Sequence, residues 1–388
     1  MSQLSERIAV SVVTGFLGAG KSTLLNRILR DPAMHDAAVI INEFGEVGID
    51  HLLVETSGDS IIELSNGCLC CTVRGELVDT LATLLDRMQT GRIRPLKRIV
   101  IETTGLADPA PVMQSVLGNP VLAQDFALDG VVTVVDAVNG LSTLERHPEA
   151  VRQAAVADRL VLSKTTLASP QALAALKEAL RRLNPRAPFV DGDSEEAGRA
   201  ALLANGLYDT ATKIADVSRW LRDEAAADEH AHHHNHECGE HCTDPSHHHH
   251  GGHGHHHHDV TRHGADIRSF ALVHDKPIDP MALDMFIDLL RSAHGEKLLR
   301  MKAIVATTDR PERPLVLHGV QNVFHPPVRL PAWPDPEDRC TRMVLITQGL
   351  GEDFVRDLFD AFTGKPRIDR PDRQAMEDNP LAMPGMRF

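Results

Sequence analysis

The sequence predicts an α/β protein whose larger unit is a mostly parallel sheet, followed by a smaller α+β unit. Three observations carry this prediction. Short apolar runs alternate with amphipathic stretches from residue 8 to about 215. A histidine-rich tract then interrupts the chain, and a second stretch of globular character follows it. At 388 residues the chain suits two domains with a linker better than one.

The apolar runs occupy 8–14, 38–42, 99–102, 131–136 and 160–163. Several lack the in–out alternation of a half-solvated sheet, so they read as parallel strands covered on both faces. Between them, Leu77, Leu81, Leu84, Leu85 and Met88 fall on one face of a helix. Strand–helix alternation of this kind implies right-handed crossovers. These features place a first domain at 1–225. Residues 226–263 hold most of the 23 histidines, together with Cys238 and Cys242, and have no hydrophobic period. That composition predicts a linker without a packed core. Its imidazoles, with a pKa near 6.5, suit metal capture at neutral pH. The last unit, 264–388, offers strands at 267–273, 298–307, 314–320 and 343–347, with helices at 280–294 and 351–362.

Composition excludes several functions. Apolar residues make up 42% and aromatic residues 4%, so the cores must be aliphatic. A net charge of −14 argues against a nucleic-acid partner or an acidic membrane surface. No apolar run reaches the ~18 residues of a membrane span. Residues 8–20 have the length of a signal-peptide core, but Glu6 and Arg7 precede them and no small-residue cleavage site follows. A cytoplasmic protein is expected. In that compartment the clustered cysteines suit metal better than disulfides.

Residues 15–22, GFLGAGKS, match the phosphate-binding pattern G-x-x-x-x-G-K-[ST], between an apolar strand and a helix. Gly15, Gly18 and Gly20 let backbone N–H groups curl toward phosphates at the positive end of that helix. Lys21 is expected to reach the β- and γ-phosphates, and Ser22 to ligate Mg²⁺. This predicts a P-loop nucleoside triphosphatase domain. In IETTG, 101–105, Glu102 can hold the magnesium's water or orient the attacking water, and Gly105 can bring a backbone N–H to the γ-phosphate. Lys21 and Glu102 are thus the candidate catalytic residues. The base is expected beside Ser163-Lys164-Thr165-Thr166. Proteins that bind GTP usually carry N/S/T-K-x-D there, with the aspartate accepting two guanine N–H bonds. Thr166 stands at that position, and losing one charge-assisted bond costs roughly 1.5–3 kcal/mol, about ten- to a hundred-fold in affinity. Weakened guanine preference is expected.

Cys68, Cys70 and Cys71 place three thiols within four residues, a donor set for a thiophilic ion. Zn²⁺ fits, and Co²⁺ accepts similar geometry.

Together these stretches resemble the CobW-like family of P-loop GTPase metallochaperones, with its zinc-associated, YjiA-like branch. The matching segments are GFLGAGKSTLLN, INEFGEVGID, NGCLCC, IETTGLADP, DGVVTVVDA and LVLSK, then LLRMKAIV and LHGVQNVF near the C-terminus. The resemblance implies a GTP cycle that controls transfer of zinc to a metal-requiring client protein. Alternatives are a cobalt chaperone serving cobalamin synthesis and a nucleotide-regulated metal store. It also implies that Gly15 to Thr23 form the phosphate loop and that Cys68, Cys70 and Cys71 form the metal motif. Glu43 and Glu46 would lie in a nucleotide-sensitive switch, 43–50, as contacts to metal or magnesium. Asn184 would lie in a loop near the base. Self-association into a homo-oligomer is left open.

Overall fold

The computed structural model describes residues 7–42, 61–64, 72–204 and 267–364. The expected switch with Glu43 and Glu46, the thiols Cys68, Cys70 and Cys71, and the histidine-rich tract lie outside them.

In chain order the first unit contains β1 (Ile8–Thr14), α1 (Lys21–Leu29), β2 (Ala37–Asn42), β3 (Ile61–Leu64), α2 (Thr72–Gln89), β4 (Arg98–Thr103), α3 (Ala110–Gly118) and α4 (Leu122–Asp125). It continues with β5 (Phe126–Asp136), α5 (Gly140–Arg146), α6 (Pro148–Ala155), β6 (Arg159–Ser163), α7 (Pro170–Leu183) and β7 (Phe189–Asp191). The strands form one seven-stranded sheet in the order β3-β2-β4-β1-β5-β6-β7, and every pairing is parallel. β1 lies between β4 and β5, with Val10, Val12 and Val13 fully buried. That double coverage explains its unbroken apolar run. The order of connections reverses about β1, which opens a crevice at the carboxyl ends of the strands. α2 presents Leu77, Leu81 and Leu84 to the core, with Leu85 and Met88 packed at its border.

The expected strands are present, most within a residue or two. β5 is the exception, starting at Phe126 instead of 131. Asp129 hides this extension in the sequence. Its carboxylate is buried against Arg98 Nη1 at 2.7 Å, so a charge occupies a core strand. β3 and β7 were not expected. They are short, and β7 is only partly buried.

The second unit comprises β8 (Ile267–His274), α8 (Pro280–His294), β9 (Leu298–Val305), β10 (Leu315–Val320), β11 (Val323–Phe324), β12 (Val328–Arg329), β13 (Thr341–Gln348) and α9 (Glu352–Phe362). Its antiparallel sheet runs β11-β10-β9-β13-β8, with β12 paired to β10. Asp279 caps α8 by accepting from the N–H groups of Met281 and Ala282, with Pro280 at the first helical position. Phe286 and Phe359 meet edge to face between α8 and α9.

The two units share core. Ile267, Leu299, Val320 and Ile346 join the same buried cluster as Leu128, Val156 and Leu160. At its edge Asp158 accepts from Arg300 Nη2 at 2.6 Å and from Lys302 Nζ, while Arg300 Nη1 donates to the Val156 carbonyl. Burial pushes the Asp158 carboxyl up, but the charges of Arg300 and Lys302 outweigh it and hold it far below the usual carboxylate range. Gln114 Nε2 donates to Gln321 Oε1 at 2.5 Å nearby.

Candidate nucleotide site

β1 ends at Thr14 and α1 begins at Lys21, so the glycine-rich loop lies at the carboxyl edge of the sheet. Gly15, Gly18 and Gly20 have φ of 146°, 71° and 94°, values that L side chains rarely adopt. Gly15 is also sterically required, since a Cβ there would lie 2.3 Å from the Val134 carbonyl oxygen. Gly20 closes the loop as the residue before α1, and its carbonyl accepts from the Leu24 N–H at 3.0 Å.

Lys21 is buried, and its Nζ donates to the Gly15 carbonyl at 3.0 Å, so the ammonium sits inside the curl of the loop. Ser22 is buried beside it. Its Oγ donates to Glu102 Oε1, 3.1 Å away at the end of β4. Thr23, next along α1, is exposed. A hydroxyl and a carboxylate oxygen side by side are hard oxygen donors that fit Mg²⁺. Behind them, Thr103 Oγ1 donates to Thr14 Oγ1 at 2.7 Å and ties β4 to β1.

Gly105 touches the phosphate loop directly. A Cβ built on it would lie 2.6 Å from the Leu17 backbone nitrogen and 2.8 Å from its Cα. Gln153 of α6 is buried and holds this approach, donating from Nε2 to the Gly105 carbonyl at 3.2 Å and the Ala107 carbonyl at 2.9 Å. The sequence carries no signal for Gln153, because its role depends on α6 crossing the end of β4.

On the other flank, Ser163 Oγ donates to the Ala19 carbonyl at 2.6 Å. Lys164, with a φ of 57°, donates from Nζ to the Gly18 carbonyl at 2.9 Å and to Asp136 Oδ2 at 2.6 Å. Burial raises the Asp136 carboxyl, but the bonds from Lys164, Asn139 and Val138 outweigh it and keep it ionised. Asp136 was not among the expected residues, although its position at the end of a buried strand, before a turn, could have marked it. A cavity of about 300 Å³ lies here, lined by Phe16, Leu17, Ala19, Val135, Asn139 and Lys164 among others.

The structure therefore gathers Gly15, Gly18, Gly20, Lys21, Ser22, Glu102, Gly105, Ser163 and Lys164 around one loop. Asn184 is a correction. It ends α7 and is buried, and its Nδ2 donates to the carbonyls of Ala154, Ala155 and Ala157 at 3.1, 3.0 and 2.8 Å. Its Oδ1 accepts from the Ala187 N–H at 3.2 Å. The amide satisfies the frayed end of α6 and is not directed at a base. Among the described residues, no group of three or more His, Cys, Asp or Glu side chains is placed to hold a metal ion. Nor is any described helix long and apolar enough to cross a membrane.

Residues 9–191 match the family model described as CobW/HypB/UreG, nucleotide-binding domain. Residues 267–363 match the cobalamin synthesis protein cobW C-terminal domain. Zinc chaperone YjiA of Escherichia coli (strain K12) is 33% identical over 352 residues, spanning 91% of this chain and 98% of its own. Zinc chaperone CobW of Sinorhizobium sp is 31% identical over 372 residues, spanning 88% and 92%. The crystal structure of Zn(II)-bound YjiA GTPase from E. coli aligns with a TM-score of 0.60 at 30% identity, covering 92% of this chain and 99% of that one.

Proposed function

This chain belongs to the CobW/HypB/UreG family of nucleotide-binding proteins, and on that premise we propose that it hydrolyses GTP to govern delivery of zinc to a client protein. The observation that carries the reading is the convergence on one loop of Lys21, the Ser22–Glu102 pair and the Ser163-Lys164 turn. Backbone N–H groups of the 15–20 curl and the start of α1 receive the phosphates. Lys21 exchanges the Gly15 carbonyl for a phosphate oxygen, and the Lys164 stem lies where a base can pack. Ser22 and Glu102 would hold Mg²⁺, which supplies charge neutralisation at the phosphates. Glu102 also stands where it can orient an attacking water.

Zinc is the cargo, and its proposed ligands are Cys68, Cys70 and Cys71, with carboxylates from Glu43 and Glu46. Chain topology supports this. β2 ends at Asn42, opposite Thr103 of β4, and Glu43 follows directly. β3 ends at Leu64 and α2 begins at Thr72, so the thiol segment joins a strand's carboxyl end to a helix start. In a parallel sheet all carboxyl ends share one edge, here the edge that bears the phosphate loop. β3 lies three strand intervals from β1, roughly 14 Å at about 4.8 Å each. A segment ordered by the triphosphate can bridge that distance. The proposed division is 1–225 for the GTPase domain, 226–263 for a metal-gathering linker and 264–388 for the C-terminal domain. The proposed setting is the cytoplasm, where thiols stay reduced.

Coupling between the two ligands is reciprocal, so a triphosphate that tightens zinc binding is itself tightened by zinc to the same extent. Zinc affinity measured with a non-hydrolysable GTP analogue should exceed that with GDP, and Cys70→Ser should abolish the difference. Equal affinities in the two nucleotide states would reject the delivery cycle.

A further inference from the structure

The turn expected to recognise guanine ends in Thr166, where GTP-binding proteins usually carry an aspartate. One hydroxyl cannot replace a carboxylate that accepts two parallel N–H bonds. The fold brings a carboxylate to the same place from another loop. Asp193 follows β7, and its Oδ2 accepts from the Thr166 N–H and the Thr166 hydroxyl, each at 3.0 Å. Thr165 shares its hydroxyl proton between Asp193 Oδ2 at 3.1 Å and Asp191 Oδ1 at 2.6 Å. Carboxylate and hydroxyl have in effect exchanged loops.

We infer that Asp193 is the guanine-reading residue of this protein, accepting the N1–H and 2-amino group of the base in place of the aspartate absent at 166. The inference rests on the nucleotide reading above and adds to it the source of base specificity. Its support is positional. The 163–166 turn is bound to the phosphate loop through Ser163–Ala19 and Lys164–Gly18. The 192–194 loop is fastened to the helix that follows the phosphate loop, because Arg27 of α1 donates to the carbonyls of Gly192 and Ser194. Gly192 is buried so closely on β6 that a Cβ would lie 2.8 Å from the Leu162 carbonyl oxygen. Asp193, one residue on, is exposed. A side chain held from beneath by the Thr166 N–H and two hydroxyls, yet open above, is oriented before any ligand arrives. Those bonds, with the Thr166 N–H foremost, also hold its carboxyl below the ordinary value, so it is an acceptor at neutral pH.

The test is direct titration of GDP, ADP and xanthosine diphosphate into the full chain and into Asp193→Asn. Xanthine carries a carbonyl where guanine carries the 2-amino group, so the asparagine amide can donate to it. The wild-type protein should favour GDP over ADP. The variant should lose about ten- to a hundred-fold in GDP affinity, gain in xanthosine diphosphate affinity and leave ADP unchanged. If Asp193→Asn preserves the GDP-to-ADP ratio, or loses both nucleotides alike, Asp193 only braces the turn and the inference is overturned while the nucleotide reading stands. Equal wild-type affinity for GDP and ADP overturns it too. A wild-type chain that binds no nucleotide removes the parent reading as well.

Discussion

Replacing Gly105 with alanine adds one methyl group where the β4–α3 connection meets the phosphate loop. The backbone φ of Gly105 is not in the left-handed region, so alanine can adopt it. On chain-entropy grounds alone the substitution should stabilise by about 0.4–1 kcal/mol. Steric contact opposes this. The new Cβ would meet the Leu17 backbone nitrogen at 2.6 Å, whereas ordinary contact begins at 3.4 Å, so the loop must retreat by the 0.8 Å difference. The colliding atoms are backbone, so no rotamer change relieves them. Overpacking of this kind costs about 1–3 kcal/mol, which exceeds the entropic gain. A loop displaced by 0.8 Å also moves N–H donors out of a hydrogen-bonding window only about 0.5 Å wide. GDP affinity measured by calorimetry should fall at least about ten-fold, and the Tm should drop by roughly 2–4 °C per kcal/mol of net strain. A Gly105→Ala protein that binds GDP within a factor of two of wild type, with an undiminished Tm, would refute the claim that this glycine shapes the loop.

Asn184→Ala removes one donor from three helix-end carbonyls and one acceptor from the Ala187 N–H. It should lower stability by about 1–3 kcal/mol in denaturant titration. GDP affinity below the transition should be unchanged, and a selective loss of GDP over ADP would restore Asn184 to the base site. Asp158→Asn leaves Arg300 and Lys302 in the interface without their carboxylate and should cost about 3–5 kcal/mol. The pH dependence follows from the depressed Asp158 pKa. Its contribution is complete above the unfolded-state value of about 4 and declines as pH falls toward the lower folded-state value. Wild-type stability should therefore fall on acidification below about pH 4 more steeply than that of the variant, and parallel acid limbs would show that Asp158 does not control this region.

The phosphate loop could be read from sequence because its requirement is local: positive φ at Gly15, Gly18 and Gly20 leaves few other residue choices. The buried parallel strands were legible for a similar reason, as both their faces need apolar side chains. Residues whose role depends on distant partners were not legible. Asp129 looks like a strand breaker until Arg98 is found beside it. Asn184 looks like a polar loop residue available to a ligand, and only the packing of α6 on α7 shows that its amide is engaged. Asp193 sits in a DGD stretch that resembles any solvated turn, and its proximity to Thr166 arises from β7 pairing with β6. Thr166, by contrast, was already conspicuous as a departure, and it pointed to the place where a replacement had to be sought.

The buried cluster that Ile267, Leu299, Val320 and Ile346 share with the first sheet has a consequence for chain integrity. Covalent continuity between residues 204 and 267 contributes little to keeping the halves together, because side chains from both already seal the seam. A polypeptide severed at an engineered protease site within 205–266 should sediment as a single particle and come apart only when Asp158, Arg300 and the surrounding aliphatic residues are exposed to denaturant. Evolution can lengthen, shorten or rewrite that stretch with little penalty to assembly, and its composition is free to answer to something other than folding.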